Sequence, residues 1–279
     1  MSFGTDQIHA GKDLPVIQAQ VMRKVAMRLI PFLAMAYFLN YLDRTNISVA
    51  KLTMSEDLGL TETMYGLASG LFFIGYVFLE VPSNLALQRF GARRWIARIV
   101  VSWGLVTVAM AFINTPTALY VTRILMGIAE AGFVPGMMLY FTFWFPRAIR
   151  VRLIGMFMLA LPVSSVLGAP VSGAILQYMD GVFGFAGWQM MFLAQGIPTV
   201  LLGIVAWFYL TDHPRHAKWL TAPERQWLAA TIDSEHQSAS QVGHTSIGRT
   251  LRDRRYGLWA WSTSALAMAS SRLVSSSQR

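Results

Sequence analysis

The chain has 279 residues, of which 54% are hydrophobic and 13% charged, with a net charge of +9 and no cysteine. A soluble domain carries about 25% charged residues, so a soluble fold of this length is excluded. The absence of cysteine excludes a disulfide framework and thiolate chemistry. The basic residues fall in separate clusters between apolar runs, which argues against a nucleic-acid partner and for orientation in a membrane.

In chain order, a polar segment over 1–28 with Lys12, Arg23, Lys24 and Arg28 leads into the first apolar run without a cleavable signal pattern. Six transmembrane helices are predicted over 29–50, 64–87, 95–114, 117–143, 152–178 and 188–210. Residues 99–122, 153–179 and 181–211 hold no charge at all, and each run can cross a hydrocarbon core about 30 Å thick. The bilayer requires backbone polar groups to be paired within the segment, so the class is an all-α integral membrane bundle. Alternating ten-residue strands, as a barrel would need, are absent.

The intervening segments alternate in charge. The first holds Lys51 against Glu56, Asp57 and Glu62, and the second holds Arg89, Arg93, Arg94 and Arg98. The third, near Asn114, is neutral, the fourth has Arg147, Arg150 and Arg152, and the fifth has Asp180 alone. Basic segments stay cytoplasmic, which predicts cytoplasmic amino and carboxyl termini. Small residues four apart (Gly66 and Gly70; Gly132 and Gly136; Ser165, Ala169 and Gly173) predict close helix approach, and Pro162 and Pro170 predict bends in the fifth span. Thr221, Pro223 and Glu224 form a capping-box pattern opening a short helix over 223–234, in a cytoplasmic loop over 211–255 that includes a linker over 238–248. The segment 256–279 is Ser-rich and too short for a seventh span.

Five ionisable residues lie inside spans: Asp43, Arg44, Glu80, Arg123 and Glu130. Each costs about 2.5–3.5 kcal/mol at a helix centre on insertion scales, so function rather than packing is expected to retain most of them. Tyr37, Tyr41, Arg44 and Ser48 share one face of the first helix, and Asp43 lies about 100° away. Arg123 and Glu130 are two turns apart on the fourth helix with Gly127 between them leaving room, and Tyr76 and Glu80 are one turn apart on the second. The charges Asp43, Arg44, Arg123 and Glu130 sum to zero. Protonating both carboxylates would leave two arginines suited to an organic anion, which points to proton coupling. The five histidines (His9, His213, His216, His236, His244) lie outside the spans without metal-ligand spacing, and no nucleophile elbow or phosphate loop is present. Transport is expected, with no catalytic residue, metal or cofactor.

At these residues the sequence resembles the major facilitator superfamily: Tyr41-Leu-Asp43-Arg44-Thr-Asn46, Glu80-Val-Pro82-Ser-Asn84, Arg89-Phe-Gly91-Ala-Arg93-Arg94, and the run from Arg123 through Gly127 and Glu130 to Gly132. Gly168-Ala-Pro170 with Gly173, and Trp219 through Glu224 to Trp227, are similar to its anion:cation symporter family, which carries tartrate, phthalate and sugar acids. The resemblance covers about 21–255. It implies a six-helix bundle of two inverted three-helix repeats, the amino-terminal half of a twelve-helix transporter in a bacterial inner membrane. It also implies Asp43 and Glu130 as proton carriers, Arg44 and Arg123 as anion-holding residues, and Tyr37, Tyr41 and Tyr76 as lining. Arg89, Gly91, Arg93 and Arg94, with Glu80, would serve a gating loop. Gln88 stands where that loop usually has an acid. Because the resemblance stops after Arg255 and a second bundle is missing, the chain is expected to be a truncated or frame-shifted product. It would then need a carboxyl-terminal half to work.

Overall fold

The computed structural model describes residues 6–242. Among them run α1 (Asp6–Asp57), α2 (Glu62–Phe90), α3 (Ala92–Met110), α4 (Pro116–Glu130), α5 (Phe133–Trp144), α6 (Arg147–Met158), α7 (Ala160–Tyr178), α8 (Gly187–Tyr209) and α9 (Ala222–Val242). The pairs α4–α5 and α6–α7 are each one interrupted span, so six spans result, as the apolar runs predict. Five of the six are long and apolar enough to cross a membrane. The sixth, α3, has 19 residues and opens on Arg93, Arg94 and Arg98 before turning apolar.

Local chemistry sets the boundaries. Thr61 Oγ1 accepts from the Met64 amide at 3.2 Å to start α2, and Thr115 Oγ1 accepts from Ala118 at 3.2 Å to start α4. Pro116 occupies the first helical turn of α4, where a missing N–H costs nothing. The predicted bend in the fifth span falls at Leu159, between α6 and α7, where the ring of Pro162 crowds the carbonyl of Met158. Pro170, by contrast, sits inside an uninterrupted α7. The fourth span, expected to be continuous, breaks directly after Glu130. Ala131 is extended (ψ 131°) and Gly132 is left-handed (φ 81°).

The first span packs mainly on α7, α2 on α4, and α3 on α8. Exchanging spans one, two and three for four, five and six turns the first pairing into the second and leaves the third unchanged. That is the signature of two three-helix repeats, and because equivalents are three spans apart, an odd offset, the repeats are inverted. The small-residue spacing is used only in part: Gly132 and Gly136 do meet α2, where a Cβ would collide with Ser83 and lie 2.8 Å from Leu87 Cδ1 respectively. Gly66, Gly70 and Gly173 face open space, whereas a Cβ on Gly104 would lie 2.8 Å from Val200 N and one on Gly203 would lie 2.7 Å from Val101 N. A Cβ on Gly127 would overlap the Phe72 carbonyl oxygen. The room beside Gly127 is therefore filled by the α2 backbone.

The core contains fully buried Trp103, Trp144, Trp188, Tyr140 and Phe133. Only 17% of the apolar stretch is buried in the second span and in the fifth, against 61% in the fourth. The fourth is therefore the central helix of its repeat. After the sixth span, α9 starts where predicted, with Glu224 Oε2 accepting from the Thr221 amide at 2.7 Å, and runs on to Val242 through part of the stretch read as a linker. Asp233 begins a second compact unit, and residues 243–279, including the Ser-rich segment, lie outside the described residues.

Candidate functional site

Two polar clusters occupy the bundle, one around each carboxylate. Asn40 and Arg44, four apart on α1, share the face turned to Glu130, while Asp43 points to a different neighbour. Asp43 is buried and turned toward α3. Its Oδ2 accepts from Trp103 Nε1 and lies 3.1 Å from Thr107 Oγ1, and its Oδ1 lies 3.5 Å from Asn46 Nδ2. Asn46 Oδ1 in turn accepts from Ser172 Oγ at 3.1 Å and from Gln195 Nε2 at 3.0 Å. This network joins the first, third, fifth and sixth spans through neutral donors. Asp43 enters no ion pair among the described residues.

Glu130, 1% exposed, ends α4 at the break. Its Oε1 accepts from Arg44 Nε at 2.8 Å and from Asn40 Nδ2. The Arg44 guanidinium lies 5.0 Å over the Tyr76 ring and 5.5 Å over Phe72, with Nη2 buried and without a hydrogen bond. Arg123, 5% exposed, lies 4.8 Å over the opposite part of the same aromatic pair, at Phe72, and its Nε reaches the Ala68 carbonyl at 3.4 Å. Among the described residues, no carboxylate lies within ion-pair distance of Arg123. A buried guanidinium without an acid is costly unless something anionic visits it.

The break itself is held from α2. Ser83 Oγ donates to the Ala131 carbonyl at 2.7 Å and accepts from Trp95 Nε1 at 3.0 Å. A side chain at Gly132 would collide with Ser83. The Glu80-to-Asn84 motif thus fixes the point at which Glu130 leaves the helix. Glu80 is half-buried about three turns inside α2 from the Gly91 turn, and only its backbone carbonyl is bonded, to Asn84 Nδ2 at 2.8 Å. Tyr37 is buried and stacks on Phe157 at 4.8 Å, away from the aromatic pair, while Tyr41 is half-buried on the same helix.

At the basic end of the bundle, Gly91 (φ 91°) alone joins α2 to α3. The Arg93 amide donates to Asp212 Oδ1 at 2.8 Å. Asp212 therefore supplies an acid to the turn where Gln88 does not, placed at the positive end of the α3 dipole. Arg89 lies over Phe90 at 5.7 Å, and Arg94 is exposed.

Sequence reasoning missed Asn40, Phe72, Trp103, Thr107, Gln195 and Asp212. All but Asp212 sit in spans as ordinary core-like residues, and only the spacing of Asn40 four residues before Arg44 could have flagged one of them.

The model of the Major Facilitator Superfamily matches residues 33–276. The chain belongs to that superfamily. It is 48% identical over 231 residues to a candidate tartrate transporter of Agrobacterium vitis, covering 83% of this chain and 53% of that protein. It is 46% identical to a candidate metabolite transport protein, NicT, of Pseudomonas putida, covering 85% of this chain and 53% of that protein. The inward-open structure of the xylose transporter XylE from Escherichia coli superposes with a TM-score of 0.64 at 18% identity, covering 81% of this chain and 59% of that one. The chain spans about half the length of the curated relatives it matches. The six-helix bundle is half of the facilitator-superfamily fold.

Proposed function

We propose that this chain supplies the amino-terminal half of a proton-coupled symporter for an organic carboxylate in a bacterial inner membrane. The single observation that carries the reading is Arg123, a buried guanidinium in no ion pair among the described residues, on the aromatic pair it shares with Arg44. Arg123 holds the substrate carboxylate. Arg44 switches between Glu130 and the anion, and Tyr76 lines the path. Asp43 and Glu130 carry the protons: a protonated Glu130 releases Arg44, whose unbonded Nη2 is then free to meet the substrate. A relative named for tartrate at 48% identity supports a small hydroxy-dicarboxylate as cargo. The Gly91 turn with Arg89, Arg93, Arg94 and Asp212 serves as the gate at the basic, cytoplasmic end.

The decisive measurement is uptake of labelled tartrate into proteoliposomes holding this chain together with the carboxyl-terminal half of the Agrobacterium relative. Uptake driven by an inward proton gradient and lost in Arg123→Gln is expected. Uptake indifferent to the gradient, or persisting in the double variant Asp43→Asn/Glu130→Gln, would count against proton coupling. A second reading is favoured by the chain's covering about half of its relatives: these six helices transport nothing alone. Uptake by this chain without the added half would sink it.

A further inference from the structure

The outer surface of the α3–α8 pair carries a groove of about 490 Å³, unrelated to the polar interior. Its walls are Val101 and Leu105 from α3 and Ile204, Trp207 and Phe208 from α8, and it closes on Arg98. Gly203 forms its floor, because the helices approach there until Gly203 and the Val101 backbone nearly touch. Leu105, Ile204, Trp207 and Phe208 are all exposed large hydrophobics, so the groove opens toward the lipid and suits an acyl chain.

One end of this apolar channel is charged. Arg98 lies about 9 Å along α3 from its first residue, at the end of the bundle that also bears Arg93 and Arg94. Its guanidinium rests 4.2 Å over the Trp95 ring, and among the described residues it makes no hydrogen bond or ion pair. Trp207 stands nearly opposite on α8, since Gly203 faces Val101 and the helices are antiparallel. Tryptophan and arginine at this depth mark the headgroup level of a bilayer. A cation with free donors at that level, continuous with an apolar furrow running toward the membrane centre, matches both halves of an anionic phospholipid.

We infer that the α3–α8 groove binds one anionic phospholipid, with an acyl chain along Leu105 and Ile204 and the phosphate on Arg98. Bound there, the lipid bridges the two helices that pair across the repeats.

The test is native mass spectrometry of the full chain in detergent with equimolar dioleoyl phosphatidylglycerol and dioleoyl phosphatidylcholine. The wild-type chain is expected to retain phosphatidylglycerol about fivefold over phosphatidylcholine, the worth of one interfacial cation. Arg98→Gln brings the two lipids to parity. Leu105→Trp, which fills the furrow and leaves the charge, lowers retention of both. Arg152→Gln, an exposed arginine on α6 at the same end, leaves the preference intact. Equal retention by the wild type, an unchanged preference in Arg98→Gln, or an equal loss in Arg152→Gln would each overturn the proposal.

Discussion

Asp43 and Glu130 occupy equivalent first helices of the two repeats, yet their surroundings differ in kind. Asp43 is held by an indole, a hydroxyl and an amide, all neutral, which tie four spans together. Glu130 is held by a guanidinium and one amide at a broken helix end. Neutral dipoles spread over a network change little when a charge comes or goes, whereas an ion pair that loses one partner leaves the other stranded. The pseudo-symmetric fold thus places one carboxylate among neutral donors and the other in an ion pair at a broken helix end.

The sharpest way to break this contrast is Glu130→Ala. It strands Arg44 and should cost about 2–3 kcal/mol, below the usual figure for a fully buried pair because Arg44 is partly exposed. Thermal unfolding in detergent reads it, and a smaller loss than that of Asp43→Asn would reverse the comparison. Next comes Gly127→Ala, which forces α2 and α4 apart at Phe72 and should cost about 1–3 kcal/mol. Gly70→Ala, on the open face, should stay within about 0.5 kcal/mol. The Gly127 change should disturb the Arg44 cradle and leave tryptophan fluorescence from the Asp43 network unaltered.

Trp103→Phe removes one neutral donor from Asp43 and should cost about 1.5–3 kcal/mol, the range for a hydrogen bond to a charged group. Combined with Asp43→Asn the losses should be less than additive, while combination with Glu130→Gln should be additive, as a double-mutant cycle would record.

The smallest effect concerns a third carboxylate, outside the membrane. The Thr221 amide, and then Lys24 at 3.1 Å, hold Glu224 below the ordinary glutamate range. A depressed folded-state pKa gives stability that is present above the unfolded pKa and is lost as pH falls through the folded one. Protection of the first α9 amides in hydrogen exchange should therefore fall only at pH below the ordinary range, by less than about 1 kcal/mol for so solvated a pair. Glu224→Gln should remove that pH dependence.

Much of this was legible in the chain. Arg44, Arg123, Asp43 and Glu130 stood out because a bilayer penalises charge wherever it is placed, so their presence alone carried meaning. Their partners did not stand out, because Trp103 and Phe72 lie in uncharged runs where an indole or a phenyl ring is what packing alone would supply. The glycine spacing held for Gly132 and Gly136 but misled at Gly66 and Gly70 for a related reason. Gly66 and Gly70 have the same period as packed glycines, and period does not say which face of a helix is occupied. The break after Glu130 was invisible since Ala131 and Gly132 read as ordinary small residues until Ser83 is seen bonding the freed carbonyl.

By itself, then, the sequence determined six helices, the alternation of basic and neutral ends, and the charges inside, because lipid enforces each of these residue by residue. The tertiary structure alone decided which charges meet. Arg44 went to Glu130, Asp43 to Trp103, and Arg123 to no ion pair among the described residues, since such pairings depend on the rotation and separation of helices far apart in the chain.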